Sequence, residues 1–307
     1  MDFSLQLLPE QPLAELIDII RVADELGFRA CYSADEIYHK DMWILFAAAA
    51  PKTRRLRFGP EVTHVILRDP TLIAQQAATL DELTGGRAEI VFSIGNVAML
   101  DQYGIDWSGT RPLNRLREAH EVMRRFLADG RIDFHGEFYR YSWLFTAARP
   151  VQQPLPLKIG AMKGPGSFRL AGEIADGVHV AGAHSPEALA YAAEKVREGA
   201  GRVERRLDSS FDFCASVLGA ISTDAAAAKE AARVAAAFYV SSMAPELVER
   251  HGIAYEEVRP VVDAFGRGDV EHALALTTSQ IGERLSIAGE PGDWINLRCS
   301  QLKWCQP

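Results

Sequence analysis

The sequence has few of the features that mark disulfide-rich, membrane or nucleic-acid-binding proteins. Only four of its 307 residues are cysteine, and no two have CxxC spacing, so we expect reduced thiols in a cytoplasmic protein. It has no run of about 18 apolar residues and no basic segment leading into an apolar one at the N-terminus, so we expect neither a membrane span nor a signal peptide. The net charge of −8 argues against a nucleic-acid or anionic-membrane partner.

Several motifs that carry chemistry are also missing. The sequence contains no GxGxxG fingerprint, no Walker loop, no HExxH pair and no GxSxG elbow, which argues against dinucleotide-fold, nucleotide-hydrolase, zinc-protease and serine-hydrolase sites of those types. His179 and His184 lie five residues apart at a strand end, without a further ligand at metal-site spacing. We therefore expect no metal site.

The remaining pattern alternates short β-rich runs with amphipathic helices. Seven such runs, each followed by a helix or an insertion, predict a parallel sheet, and in about 300 residues they favour a closed (β/α)8 TIM barrel. Residues 241–272 predict a helical insertion near the C-terminus. The final βα unit looks shortened and atypical, so that 298–304 either forms a makeshift eighth strand or leaves the barrel imperfectly closed. The hydrophobic share of 48% suits one large core, and no linker interrupts residues 1–307, which predicts a single domain.

In such a barrel, functional residues follow the strands, at their carboxyl ends. Asp35 and Glu36 follow the second strand, although loop acids are often only helix caps or solvated groups. His64 follows the third strand, and a lone histidine at such a place is more often packed than catalytic. Gly95 and Asn96 follow the fourth strand, where a glycine lets a planar ligand approach the backbone.

A glycine-rich turn follows the fifth strand. Gly160, Gly164 and Gly166 lie between that strand and a helix start, where backbone N–H groups and the helix dipole favour an anion. Asp176-Gly177 precedes the sixth strand, where it is either a tight turn or a further source of N–H groups. The turn is a weak phosphate signal by itself.

Four short sequence blocks occur together in a known family. The blocks 78–87 (ATLDELTGGR) and 170–178 (LAGEIADGV), with Arg68-Asp69-Pro70 and 150–154 (PVQQP), follow in the same order. In them the chain resembles the bacterial luciferase-like superfamily over roughly residues 1–240. It is most similar to the branch that uses the deazaflavin coenzyme F420 and includes methylenetetrahydromethanopterin reductase.

The resemblance implies roles for individual residues. It implies a non-prolyl cis peptide at Glu61-Val62 behind the cofactor ring. Asp35 and Glu36 would face that ring. Where relatives carry histidine and glutamate acids this chain has Glu36 and Asn96, so Glu36 and His64 are our candidate catalytic residues, because burial beside a ring favours a neutral carboxyl. The expected cofactor-binding residues are Asp35, Glu61, Val62, Thr63, Gly95, Asn96, Gly160, Ala161, Met162, Gly164, Gly177 and Val178.

The resemblance leaves three functions open. The first is hydride transfer between F420 and a small organic substrate, where the protein mainly orients the ring against the substrate. The second is an FMN-dependent monooxygenase, and the third is a non-catalytic flavin-binding relative. We expect a homodimer, and we expect the aromatic stretch 133–148 to shape the substrate pocket or a lid, unless it only packs beneath a loop.

Overall fold

A computed structural model of the chain describes residues 2–95, 97–106, 109–162, 164–182 and 185–293. The chain divides into two compact units: Met1–Gly160 with Ile174–Gly177, and Ala161–Glu173 with Val178–Pro307. Within the described ranges, no helix is long and apolar enough to cross a membrane. The single domain expected for residues 1–307 stays a prediction.

The first unit alternates strands and helices. Its strands are β1 (Ser4–Leu7), β2 (Ala30–Ser33), β3 (Arg57–Pro60), β4 (Thr63–His64), β5 (Ile90–Ser93), β6 (Arg131–His135), β7 (Arg140–Phe145) and β8 (Leu157–Ala161), whose last residue belongs to the second unit. Its helices are α1 (Leu13–Glu25), α2 (Met42–Ala49), the 3-10 turn Ala50–Lys52, α3 (Pro70–Thr84), α4 (Val97–Gln102) and α5 (Pro112–Asp129).

Local sequence signals explain the ends of α3 and α5. Asp69 caps α3 by accepting from the Thr71 N–H at 2.8 Å, and Pro70 occupies the first turn, where its missing N–H costs nothing. The helix ends at Gly85 with φ +67°, and α5 ends at Gly130 with φ +67°. Both glycines adopt the left-handed conformation that closes a helix, as the sequence predicts.

Because these strands pair in parallel, their carboxyl ends lie side by side at one edge of each sheet. Strands β1, β2 and β3 form one parallel sheet in which Ser33 pairs with Leu7 and Pro60. Strands β4, β5 and β8 are neighbours in another, with His64 opposite Ser93. The antiparallel hairpin β6–β7 forms its own two-stranded sheet.

The strand run of residues 57–64 is interrupted between β3 and β4. The sequence predicted one β-like run over 56–66 with a bulge, whereas the structure has two short strands separated by Glu61-Val62. The peptide bond between those two residues is cis, so the cis peptide expected there is confirmed.

A buried charge cluster lies among the strands of the first unit. Glu89 is 1% exposed and accepts from Lys158 Nζ at 2.8 Å, from Arg57 Nε at 2.9 Å, and from the hydroxyl of Tyr32. Burial alone raises the pKa of a carboxyl, but the neighbouring cations outweigh it here and hold the pKa of Glu89 at about 2. Glu89 is therefore a charged, fully paired core residue.

The second unit holds the remaining βα pairs and a run of helices. Its elements are α6 (Pro165–Ile174), β9 (Gly177–Ala181), α7 (Pro186–Arg202), β10 (Asp212–Ser216), β11 (Gly219–Ile221), α8 (Ala225–Val240), α9 (Pro245–Glu249), α10 (Tyr255–Gly266), α11 (Val270–Leu276), α12 (Ser279–Leu285) and β12 (Ile287–Gly289), of which α6 and β9 each contribute one residue to the first unit.

The last described strand lies earlier than the sequence suggested. The predicted insertion over 241–272 is helical but extends to α12, and β12 then pairs in parallel with β11. A strand at Ile287–Gly289 therefore precedes the segment 298–304 in which the sequence predicted one. The proposed makeshift strand 298–304 lies outside the described residues.

Candidate functional site

A cavity opens in the first unit where β2 and β4 end. Its volume is about 330 Å³. The loop after β2, the end of β4, the start of α3 and the helix α4 supply its walls. The lining residues are Ala34, Asp35, Glu36, Ile37, His39, Lys40, Asp41, Met42, His64, Leu67, Arg68, Asp69, Leu72, Met99 and Tyr103. Two predicted site residues of different strands, Glu36 and His64, are thus brought together.

Asp35 lines the cavity, but its carboxylate is occupied by the protein. Arg68 binds it through two parallel bonds, Nη2 to Oδ1 at 2.8 Å and Nε to Oδ2 at 3.0 Å. Thr63 Oγ1 donates to Oδ2 at 2.7 Å, and Trp43 Nε1 lies 3.4 Å from the same oxygen. Bidentate guanidinium–carboxylate pairs are among the stronger hydrogen-bonded contacts. Asp35 thus joins three chain segments rather than offering free oxygens to a ligand.

His64 is a buried histidine whose ring is left without protein hydrogen bonds. The side chain is 2% exposed, and within the described ranges neither Nδ1 nor Nε2 has a hydrogen-bond partner. Burial lowers the pKa of His64 to about 4, with Asp35 opposing and Arg68 assisting that shift. The ring is therefore neutral at pH 7 and can offer one donor and one acceptor to a ligand.

Two further predicted residues contact His64. Glu36 Oε1 lies 3.9 Å from Nε2 of His64, and the Glu36 side chain is 21% exposed. Gly95 has φ +103°, and a Cβ placed on it would lie 2.6 Å from Cγ of His64. The imidazole therefore occupies the space that any other residue at position 95 would fill.

Val62 packs into the strand layer. Val62 packs against a buried cluster of Ala30, Tyr32 and Val91. A Cβ on Gly160 would lie 2.3 Å from Cγ1 of Val62, so Gly160 is required for this close approach. The sequence predicted a place for Gly160 in a phosphate-binding loop. The residue lies within β8 with its open side filled by Val62, and a phosphate role for Gly160 stays a prediction.

Gly177 and Val178 lie at the start of a strand, where the sequence placed them. They begin β9, and the preceding Asp176 N–H donates to the carbonyl of Leu157 at the start of β8. The glycine turn that was to share a phosphate with them follows the opposite end of β8. A phosphate role for Gly177 and Val178 stays a prediction.

The second unit contains the remaining phosphate candidates. Ala161 is 4% exposed at the end of β8. Met162 follows it, and Gly164 has φ +154° with no atom within 4 Å of a Cβ placed there. Helix α6 begins directly afterwards. A phosphate role for these residues stays a prediction, and Asn96 lies outside the described residues.

The aromatic stretch 133–148 forms most of the hairpin β6–β7. Its Tyr139 hydroxyl donates to the carbonyl of Val65 at 2.6 Å, and the Tyr141 hydroxyl binds both carboxylate oxygens of Asp69 at 2.9 and 3.0 Å. Trp143 and Phe145 are 85% and 79% exposed. The hairpin is anchored to the cap of α3, and its role in substrate binding stays a prediction.

Arg68 and α4 are parts of the site that the sequence alone did not indicate. Arg68 was quoted only as part of a family motif, because its partner Asp35 is 33 residues away in sequence. The bulky apolar residues Met99 and Leu67 line the cavity, but no polar pattern marks them. Long-range pairing of this kind leaves no local sequence signal.

Comparison with known proteins places the chain in a family. Residues 1–297 match the family model described as luciferase-like monooxygenase. The 5,10-methylenetetrahydromethanopterin reductase of Methanopyrus kandleri is 32% identical over 304 residues, which cover 95% of this chain and 86% of the relative. The reductase of the same name from Archaeoglobus fulgidus is 29% identical, over 96% of this chain and 88% of the relative.

A solved structure extends the likeness to three dimensions. The coenzyme F420-dependent tetrahydromethanopterin reductase from Methanopyrus kandleri has a TM-score of 0.86 and 31% identity, and the match covers 99% of this chain and 90% of that one. The predicted (β/α)8 TIM-barrel class is thereby confirmed. The chain belongs to the luciferase-like monooxygenase family.

Proposed function

We propose that this protein is an oxidoreductase that transfers a hydride between coenzyme F420 and a small organic substrate. The observation that carries the proposal is the likeness, over nearly the whole chain, to a reductase whose name states its dependence on F420. The family description alone would also allow an FMN-dependent monooxygenase, but the similar reductases act on a reduced pterin by name and so favour the F420 reaction.

The first unit fits a planar cofactor ring on grounds of its own. A buried polar atom without a hydrogen-bond partner is rare in proteins and often marks the place of a bound water or ligand. Both ring nitrogens of His64 are in that situation within the described ranges, and His64 lines the cavity. Gly95 has no side chain, so nothing at that position displaces the imidazole of His64. These residues, with the Glu61-Val62 bulge, would hold a ring against the ends of β3 and β4.

Glu36 and His64 would have separate roles in the reaction. Reduced F420 supplies a hydride when it is bound. Glu36 is the proposed proton donor for the product, since it lines the cavity beside His64. The separation of 3.9 Å is longer than a hydrogen bond, as is common for catalytic pairs before ligand binds. His64, neutral because it is buried, would orient the ligand and the Glu36 carboxyl.

Assembly and location belong to the same proposal. We propose a homodimer acting on a small-molecule substrate in the cytoplasm. Free thiols at Cys31 and Cys214 fit a reducing compartment. Light scattering during gel filtration should give twice the monomer mass, and a monomer mass would contradict the dimer.

Fluorescence titration with F420 and with FMN tests the cofactor directly. We expect saturable binding of F420 at low concentration and much weaker binding of FMN. The reverse order would favour the monooxygenase. Binding of either cofactor without turnover of methylene-bearing reduced pterins or of simple alcohols and ketones would favour a non-catalytic relative.

A further inference from the structure

The position of the His64 ring is not explained by its own hydrogen bonds. Its side chain is 2% exposed, and neither ring nitrogen has a partner within the described ranges. The charged groups that face it are Glu36 at 3.9 Å, Asp35 and Arg68. A ring that must stay open to a ligand has to be held through its backbone and its packing.

Arg68 binds the backbone of His64 directly, and through Asp35 it also binds the preceding residue, Thr63. Its main-chain N–H donates to the carbonyl of His64 at 2.9 Å. Its guanidinium binds Asp35 through the two parallel bonds at 2.8 and 3.0 Å. Asp35 in turn accepts from Thr63 Oγ1 at 2.7 Å. Residues 63 and 64 are thus tied to a single arginine.

The geometry of this clamp requires an arginine. Guanidinium presents a planar fork that matches both oxygens of a carboxylate. An ammonium group is a point charge and does not form the same pair of parallel bonds. The Arg68 and Asp35 side chains are 29% and 9% exposed, so water competes little for the pair. A third bond, Nη1 to Gln76 Oε1 at 3.3 Å, joins Arg68 to α3.

We propose that Arg68 is a positioning residue of the site: with Asp35 and Thr63 it fixes the backbone of His64, so that the open imidazole meets the ligand of the cavity. This inference rests on the proposed function for its catalytic consequence. Arg68 itself takes no part in the hydride or proton transfer. Asp35, which the sequence analysis assigned to the cofactor, belongs to this clamp.

The Arg68→Lys variant tests the proposal, because it keeps the charge and the main-chain bond but loses the fork. Histidine-selective ¹⁵N labelling reports the His64 ring without any cofactor, and a His64→Gln variant assigns its signals. We expect shifted His64 signals and a kcat lowered about tenfold or more, since small misplacements near reacting atoms are costly. The F420 dissociation constant should change less than threefold.

Arg169→Lys is the matched control. Arg169 also forms a partly exposed pair, with Glu198 at 2.8 Å and side-chain exposures of 25% and 35%, but it lies on α6. The control should leave the His64 signals and kcat at their wild-type values. If Arg68→Lys does not fold, Thr63→Val removes one bond of the clamp at similar side-chain volume and should shift the same signals.

Unchanged His64 signals in both Arg68→Lys and Thr63→Val would overturn the clamp. So would equal shifts in Arg169→Lys. Failure of the wild-type protein to bind F420 would instead contradict the proposed function, and it would leave the comparison of His64 signals intact. The two failures are therefore distinguishable.

Discussion

Replacement of Gly95 by alanine should displace the imidazole of His64. Gly95 has φ +103°, and a Cβ on it would lie 2.6 Å from both Cγ and Nδ1 of His64 and 3.1 Å from its Cβ. Non-bonded carbon atoms pack at about 3.5–4.0 Å. Either the ring moves by about 1 Å, or the backbone leaves its left-handed conformation.

Both responses carry a cost that can be estimated. An L residue held in an unfavourable backbone region costs about 1–3 kcal/mol, and overpacking of a buried site costs about 1–3 kcal/mol. When the backbone keeps its conformation both costs apply, and their sum of about 2–6 kcal/mol is a large share of a typical stability of about 5–15 kcal/mol. Because a 1 Å misplacement near the chemistry can cost about a hundredfold in rate, we expect kcat to fall even in the folded variant.

Urea unfolding and histidine-selective NMR measure the two effects separately. Gly201→Ala is the control, since Gly201 lies in α7 with no atom within 4 Å of a Cβ placed there. The control should leave the His64 signals unshifted and should not lower the unfolding free energy, since alanine is favoured over glycine inside a helix. Wild-type unfolding free energy together with unshifted His64 signals in Gly95→Ala would refute the packing of His64 against Gly95.

Three further predictions concern single side chains. Glu36→Gln should lower turnover more than F420 affinity in steady-state and binding assays, and unchanged turnover would remove Glu36 from the mechanism. Because burial lowers the pKa of His64 from 6.5 to about 4, its contribution to stability is present above pH 6.5 and is lost as the pH falls towards 4. Urea unfolding of wild type should therefore lose about 3 kcal/mol over that window relative to His64→Gln, and equal pH slopes would argue against a neutral buried ring. Glu89→Gln should lower the unfolding free energy by about 3–5 kcal/mol, because it leaves the buried Lys158 uncompensated, whereas Glu283→Gln on the surface should leave it nearly unchanged; similar urea midpoints for the two variants would contradict the buried pair.

Much of the fold could be predicted because its signals are local. The Asp69-Pro70 start of α3 and the glycine end of α5 depend on residues within a few positions, and β9 begins and ends where the sequence predicted. The cis peptide at Glu61-Val62 was implied by family resemblance, since neither residue type indicates it.

The features that sequence reasoning missed depend on distant partners. Asp35 looked like a ligand-facing acid, and only the folded chain shows Arg68 and Thr63 occupying its oxygens. Gly160 looked like part of a turn, but its missing side chain makes room for Val62. The last described strand, β12, is only three residues long, too short for periodicity to mark it.

A crystal structure of the protein with F420 is the most direct test of the account. We predict that the ring density fills the cavity of the first unit beside Glu36, with a hydrogen bond to a ring nitrogen of His64. Density for F420 elsewhere on the chain, with His64 and Glu36 uncovered, would contradict the proposed site.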